Sequence, residues 1–155
     1  MKLKSDDVVA ILDDLGIDKA HYIGYSLGGT TGYGVAKHAP ERFNSIIIGG
    51  MHPYGPAGTN ASVDERIEGL KKGVESVVAS MEAASGRQLP PERRAAMLDN
   101  DQKALIASSI ELRDFEGIED ILSSMTMPCL LFVGEEDFLY EGVTRYVKGM
   151  PNATM

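Results

Sequence analysis

Gly24-Tyr25-Ser26-Leu27-Gly28 is the segment whose residue types and spacing bear most directly on chemistry. A serine with glycines two positions before and two after fits G-x-S-x-G, the pattern of a hydroxyl nucleophile held on a sharp turn between a strand and a helix. Side chains at 24 and 28 are expected to collide across so tight a turn, which accounts for both glycines. Ser26 is expected in a strained, non-helical conformation. The helix that starts there turns its positive end toward the site. The N–H of Leu27 is then placed to stabilise an oxyanion, as acyl transfer requires. The competing reading is a glycine-rich turn that cradles a phosphate. No lysine follows the glycines, so a Walker-type loop is excluded, and Gly-x-Gly-x-x-Gly is not matched in register.

A nucleophilic serine needs a base, and the base needs an orienting acid. Asp137 closes Gly134-Glu135-Glu136-Asp137 just past a buried strand, at the end where sites form in open α/β sheets. Glu135 and Glu136 are nearby alternatives, and a solvated acidic turn is the plainer reading of all three. Of the three histidines, His21 starts a strand at the far edge of the sheet. His38 ends the helix after Ser26, roughly 16 Å away. His52 follows the next strand on the same sheet edge as Ser26. A base must come within roughly 2.6–3.2 Å of the serine hydroxyl; His52 is read instead as a possible pocket residue, together with Tyr25, Met51 and Tyr54.

These residues need elements to hold them. Val8, Ile11, Leu12 and Leu15 give helical spacing over 5–15, with Ser5 as N-cap and Gly16 beyond the end. Residues 20–25 read as a strand. Residues 27–38 read as a helix whose small residues pack close to a sheet. Residues 43–49 form a second strand, whose three isoleucines need cover on both faces. After a loop at 50–61, residues 62–84 read as one amphipathic helix with Val63, Ile67, Leu70, Val74, Val77 and Met81 on one side. Pro90 and Pro91 open a helical stretch to about Arg113, broken near Asn100. A short helix at 116–124, a strand from Cys129 to Gly134, a helix at 141–149 and the start of a fourth strand at 153–155 complete the order. Strands alternating with helices give a parallel sheet. The block at about 52–115 is too long for a connector and reads as an insertion.

Composition narrows the function classes. The 155 residues carry a net charge of −8, which argues against nucleic acid as the main partner. No apolar run approaches the roughly 18 residues of a membrane span, and the first residues do not read as a signal peptide. Cys129 is the single cysteine, which excludes a disulfide framework and a multi-cysteine zinc site. The histidines are too scattered for a metal helix. No metal or cofactor is expected, and a reducing, cytoplasmic setting is.

Asp-Val-Val-Ala-Ile-Leu-Asp-Asp-Leu-Gly-Ile, His-Tyr-Ile-Gly-Tyr-Ser-Leu-Gly-Gly, Ala-Pro-Glu-Arg-Phe and Pro-Cys-Leu-Leu-Phe-Val-Gly-Glu-Glu-Asp occur here in sequence order. With these segments the chain resembles the α/β-hydrolase family over nearly all its length. The resemblance implies an α/β fold: a partial doubly wound, mostly parallel sheet with a helical cap inserted at about 52–115, in a single truncated core spanning 1–155. It implies Ser26 as nucleophile, Asp137 as triad acid, Leu27 as oxyanion donor, Gly24 and Gly28 as elbow glycines, no cofactor, and a small-molecule substrate with an ester or similar acyl bond. The serine argues against the dehalogenase and epoxide-hydrolase branches, which use aspartate there. A carbon–carbon bond hydrolase or a cofactor-free haloperoxidase keeps the serine. The family order is serine, acid, histidine, and no histidine follows Asp137. The strands that precede the elbow in the family, and the loop with the second oxyanion donor, have no counterpart before Ser26. The expectation is therefore a hydrolase fragment lacking its catalytic histidine. The alternative is an inactive remnant with only an association role. A partial sheet leaves strand edges and an apolar face uncovered, so a homo-oligomer is expected.

Overall fold

Ile46, Ile47 and Ile48 lie at the centre of a four-stranded sheet in a computed structural model that describes residues 1–53, 60–115 and 117–155. The strands are β1 (Ala20–Tyr25), β2 (Phe43–Gly49), β3 (Cys129–Phe132) and β4 (Ala153–Thr154), all parallel, in the order β1-β2-β3-β4. The register sets Tyr25, Gly49 and Phe132 level with one another at the C-terminal edge. Everything that leaves that edge, Ser26 after β1, His52 after β2 and Asp137 after β3, starts from a common line. β3 ends at Phe132, two residues short of the expected Gly134.

The chain divides into two compact units, Met1–Tyr54 with Gly117–Met155, and Gly55–Glu116. Tyr54 and the rest of 54–59, half of the expected 50–61 loop, lie outside the described residues. In the first unit, α1 (Lys2–Asp14) packs on α2 (Leu27–His38), and α2 packs on β1 and β2. Alternation along the strands puts Ile46, Ile48, Cys129 and Leu131 on a buried face. The α2 glycines bring helix and sheet together: a Cβ at Gly32 would stand 2.9 Å from the Tyr22 ring and 3.2 Å from Ile48.

Ser5 is not a cap. Helix α1 begins at Lys2, and Ser5 is buried within it, its Oγ donating to the Met1 carbonyl at 3.3 Å. A Cβ at Gly34 would stand 2.6 Å from that Oγ, so a small residue at position 5 lets α1 approach α2.

The second unit is helical: α3 (Asn60–Lys71), α4 (Val74–Ser85), α5 (Pro91–Leu98) and α6 (Gln102–Arg113). The expected single helix over 62–84 is two. Gly73 takes φ 122°, a conformation no helix interior accommodates, and resets the helical phase. Val63, Ile67 and Leu70 are buried as expected, but in α4 the buried residue is Val78 rather than Val77, and Met81 is exposed. The break between α5 and α6 falls where expected, with Asp101 accepting the N–H groups of Lys103 and Ala104 at 2.7 and 3.0 Å. Gln102 caps the end of α3 through the Leu70 carbonyl at 2.6 Å.

Back in the first unit, the stretch expected as a short helix at 116–124 is a 3-10 turn over Glu119–Ser124, and α7 (Tyr140–Val147) follows β3. No helix among the described residues is long and apolar enough to cross a membrane.

Candidate active site

Ser26 lies between the last residue of β1 and the first of α2, with φ 54° and ψ −115°. Among the described residues it is the one non-glycine with positive φ. An L-residue reaches this region only when its surroundings force it there. The surroundings are two hydrogen bonds. The Ser26 N–H donates to the Gly49 carbonyl at 2.9 Å, tying the turn to the end of β2. The Ser26 carbonyl accepts the Thr30 N–H at 3.0 Å, opening α2. Leu27 is the first helical residue, and its N–H has no intrahelical acceptor. The side chain of Ser26 is exposed.

The two flanking glycines do different work. A Cβ at Gly24 would run into the Gly28 carbonyl and stand 2.8 Å from the Tyr22 ring. A Cβ at Gly28 meets nothing within 4 Å. The expected mutual collision is therefore one-sided: the Gly28 backbone fills the space over Gly24, and only position 24 is sterically bound to glycine.

Asp137 is half-buried, whereas Glu135 and Glu136 are exposed. Its N–H donates to the Gly134 carbonyl at 3.0 Å, and its Oδ1 accepts the Leu139 N–H at 2.9 Å. This Asx-type turn leads into α7 and fixes the carboxylate at the C-terminal edge of the sheet.

His52 is buried and backs onto α7; its ring lies 3.1 Å from where a Cβ on Gly142 would stand. Burial pushes its pKa below the ordinary histidine value. Its neighbours anchor the loop, the Met51 carbonyl accepting from Tyr33 Oη at 3.4 Å and the Pro53 carbonyl from the Ile118 N–H at 3.0 Å. The Ser26 hydroxyl makes no hydrogen bond among the described residues, to His52 or to any other group. His21 bonds Ser45 at 2.7 Å near the opposite end of β1, and His38 is exposed at the end of α2.

Tyr25 points to the open face of the sheet, where it is 67% exposed and its ring stacks on Phe132 at 6.1 Å. The pair lies over Gly49 and Gly50, where side chains would meet their rings.

Two features escaped the sequence. The Tyr22 hydroxyl donates to the Gly28 carbonyl at 2.7 Å, beneath the turn. Thr30 Oγ1 is buried one helical turn beyond Ser26 without a hydrogen-bond partner. A tyrosine four residues before the serine was a visible signal for the first; nothing in the sequence marked the second.

Residues 5–62 match the family model described as the alpha/beta hydrolase fold. The 2-hydroxy-6-oxononadienedioate/2-hydroxy-6-oxononatrienedioate hydrolase of Burkholderia vietnamiensis is 30% identical, over 96% of this chain and 57% of that protein. The 3-oxoadipate enol-lactonase 2 of Acinetobacter baylyi is 52% identical over 42 residues, 27% of this chain and 16% of that one. A crystal structure of a hydrolase from Pseudomonas aeruginosa PA01 superimposes with a TM-score of 0.80 at 26% identity, covering 96% of this chain and 60% of that chain. The chain thus spans 57–60% of the length of these longer matches. It is similar to α/β hydrolases in sequence and in fold, and the matched proteins are hydrolases.

Proposed function

We propose that this chain carries the nucleophile portion of a serine hydrolase acting on an ester or similar acyl bond of a small molecule. Ser26 Oγ attacks the acyl carbon, the Leu27 N–H holds the oxygen that becomes negative, and the leaving alcohol departs with a proton. Water then cleaves the acyl-serine. Asp137 is the carboxylate that orients the base, with one oxygen held by Leu139 and the other left to accept an imidazole N–H. The observation that carries this reading is the backbone of Ser26, a positive φ at a strand-to-helix junction. The names of the matched enzymes support it at the level of hydrolysis.

The 155 residues hold no histidine after Asp137, and among the described residues Ser26 has no base in hydrogen-bond contact. By itself this chain is therefore a poor catalyst. Loss of a triad member leaves roughly 10³–10⁴-fold catalysis over water. The test is hydrolysis of p-nitrophenyl acetate by the purified chain, with Ser26→Ala and His52→Ala beside it. The expected result is a marginal rate that Ser26→Ala abolishes and His52→Ala leaves. Robust turnover lost in both variants would make His52 the base. A rate indifferent to Ser26→Ala would remove the nucleophile assignment and leave an association role.

A further inference from the structure

The strand side of the turn at Ser26 is filled by one side chain, Tyr22. Its ring occupies the room left by two glycines: a Cβ at Gly24 would stand 2.8 Å from Cε1, and one at Gly32 would stand 2.9 Å from the same atom. The ring packs against Phe43 in a T-shaped arrangement, with the ring centroids 5.9 Å apart. From that slot the hydroxyl reaches past the end of β1 and donates to the Gly28 carbonyl at 2.7 Å. Beside it, Thr31 Oγ1 donates to the Leu27 carbonyl at 3.1 Å. Two successive carbonyls of the first turn of α2 are thus held by side-chain hydroxyls, one from the strand and one from the helix itself.

The first turn of a helix is the part most prone to fray, because its N–H groups lack intrahelical acceptors. Here it must stay in place, because the first N–H, that of Leu27, is the one the reaction needs. A carbonyl that accepts a second hydrogen bond also polarises its peptide unit, which strengthens the Gly29 N–H as a donor toward the same end of the helix. We propose that Tyr22 is a positioning residue: its hydroxyl grips the Gly28 carbonyl from the sheet and fixes the first turn of α2, so that the Leu27 N–H and Ser26 keep the geometry for acyl transfer. This rests on Ser26 being the nucleophile. Burial raises the Tyr22 pKa above its ordinary value, so the hydroxyl remains a donor throughout the neutral range.

Tyr22→Phe keeps the ring in its slot and removes only the grip; the urea midpoint checks that the variant folds. The first readout is the amide spectrum of the ¹⁵N-labelled chain, with shifts expected to move at Leu27, Gly28 and Gly29 and to stay unchanged in α6. The second is phosphonylation of Ser26 by an alkyl fluorophosphonate, followed by intact mass over a range of probe concentrations. The serine oxygen bonds to phosphorus, fluoride leaves, and the serine proton passes to buffer. The expected result is a maximal labelling rate about five- to tenfold lower, the scale of one lost hydrogen bond, at an unchanged half-saturating concentration. Incorporation of 3-fluorotyrosine at position 22, a stronger donor in the same slot, is expected to hold or raise that rate. An unchanged maximal rate in Tyr22→Phe, or a loss confined to half-saturation, overturns the proposal. If Ser26→Ala takes up label as fast as the parent chain, it is the nucleophile reading that fails. The grip is then judged by the amide shifts alone, and unmoved signals at Leu27 and Gly29 overturn it.

Discussion

His52 shows how far a single residue can be read before its surroundings are known. Its position after β2 pointed to the edge of the sheet that carries Ser26, and the structure puts it at that edge, but buried against Gly142 and not hydrogen-bonded to the serine. Burial lowers its pKa, and this fixes the sign of a pH effect. The unfolded chain takes up the proton near pH 6.5, whereas the folded chain resists it. The stability involved is fully present above that value and is lost as pH falls toward the folded-state pKa. Urea midpoints at pH 7.5 and pH 5.5 should therefore drop further in the parent chain than in His52→Gln. An equal drop in both would mean that the imidazole is not excluded from water. Tyr25 was read from its place next to the serine; strand alternation puts its side chain on the open face of the sheet, opposite to Gly24. The residue that supports the serine from below is Tyr22, on the buried face with Gly24.

At the scale of elements, the strand from 20 to 25, the helix from 27 to 38 and the strand from 43 to 49 were legible to the residue. An isoleucine run, a glycine-rich turn and Pro40 leave few alternative boundaries. The helix over 62–84 was misread because its apolar spacing runs through the break. Lys71-Lys72-Gly73 was nonetheless a stop signal, with basic residues in the last turn and glycine after it. Ser5 was misread because a cap and a close helix contact both favour a small residue. The turn at Ser26 makes the sharpest claim about an element. Gly24→Ala forces its methyl group into the Gly28 carbonyl and should cost about 1–3 kcal/mol or more. Gly28→Ala meets nothing and should be neutral or stabilising by up to about 1 kcal/mol, as expected for a helical glycine. Urea unfolding of the two variants separates them. Equal destabilisation would contradict the one-sided geometry and restore the symmetric collision expected from the motif.

For the molecule as a whole, the feature that the strand pattern left open is the second face of the sheet. Ile23 is 72% exposed, and Tyr25, Leu130 and Phe132 share its face. Among the described residues, β1 has a strand neighbour on one side only. Apolar surface of this kind, beside an open strand edge, favours association. The 155-residue chain is therefore expected to self-associate at micromolar concentration, and light scattering giving a clean monomer mass would count against this. Fold class and the strained turn at Ser26 were readable because one short motif constrains backbone, strand and helix together. The base was not readable, because no histidine follows Asp137 in these residues and none of the three present stood within hydrogen-bond reach of Ser26 by its place in the sequence. The central claim is that the strained turn presents Ser26 as the reactive hydroxyl, and peptide mapping after exposure to an alkyl fluorophosphonate tests it most directly. The expected outcome is slow labelling, in keeping with a serine hydroxyl that has no hydrogen bond to a base among the described residues, confined to Ser26 and absent in Ser26→Ala. Adducts spread over other serines and tyrosines at comparable rates, with Ser26 no faster than the rest, would contradict it.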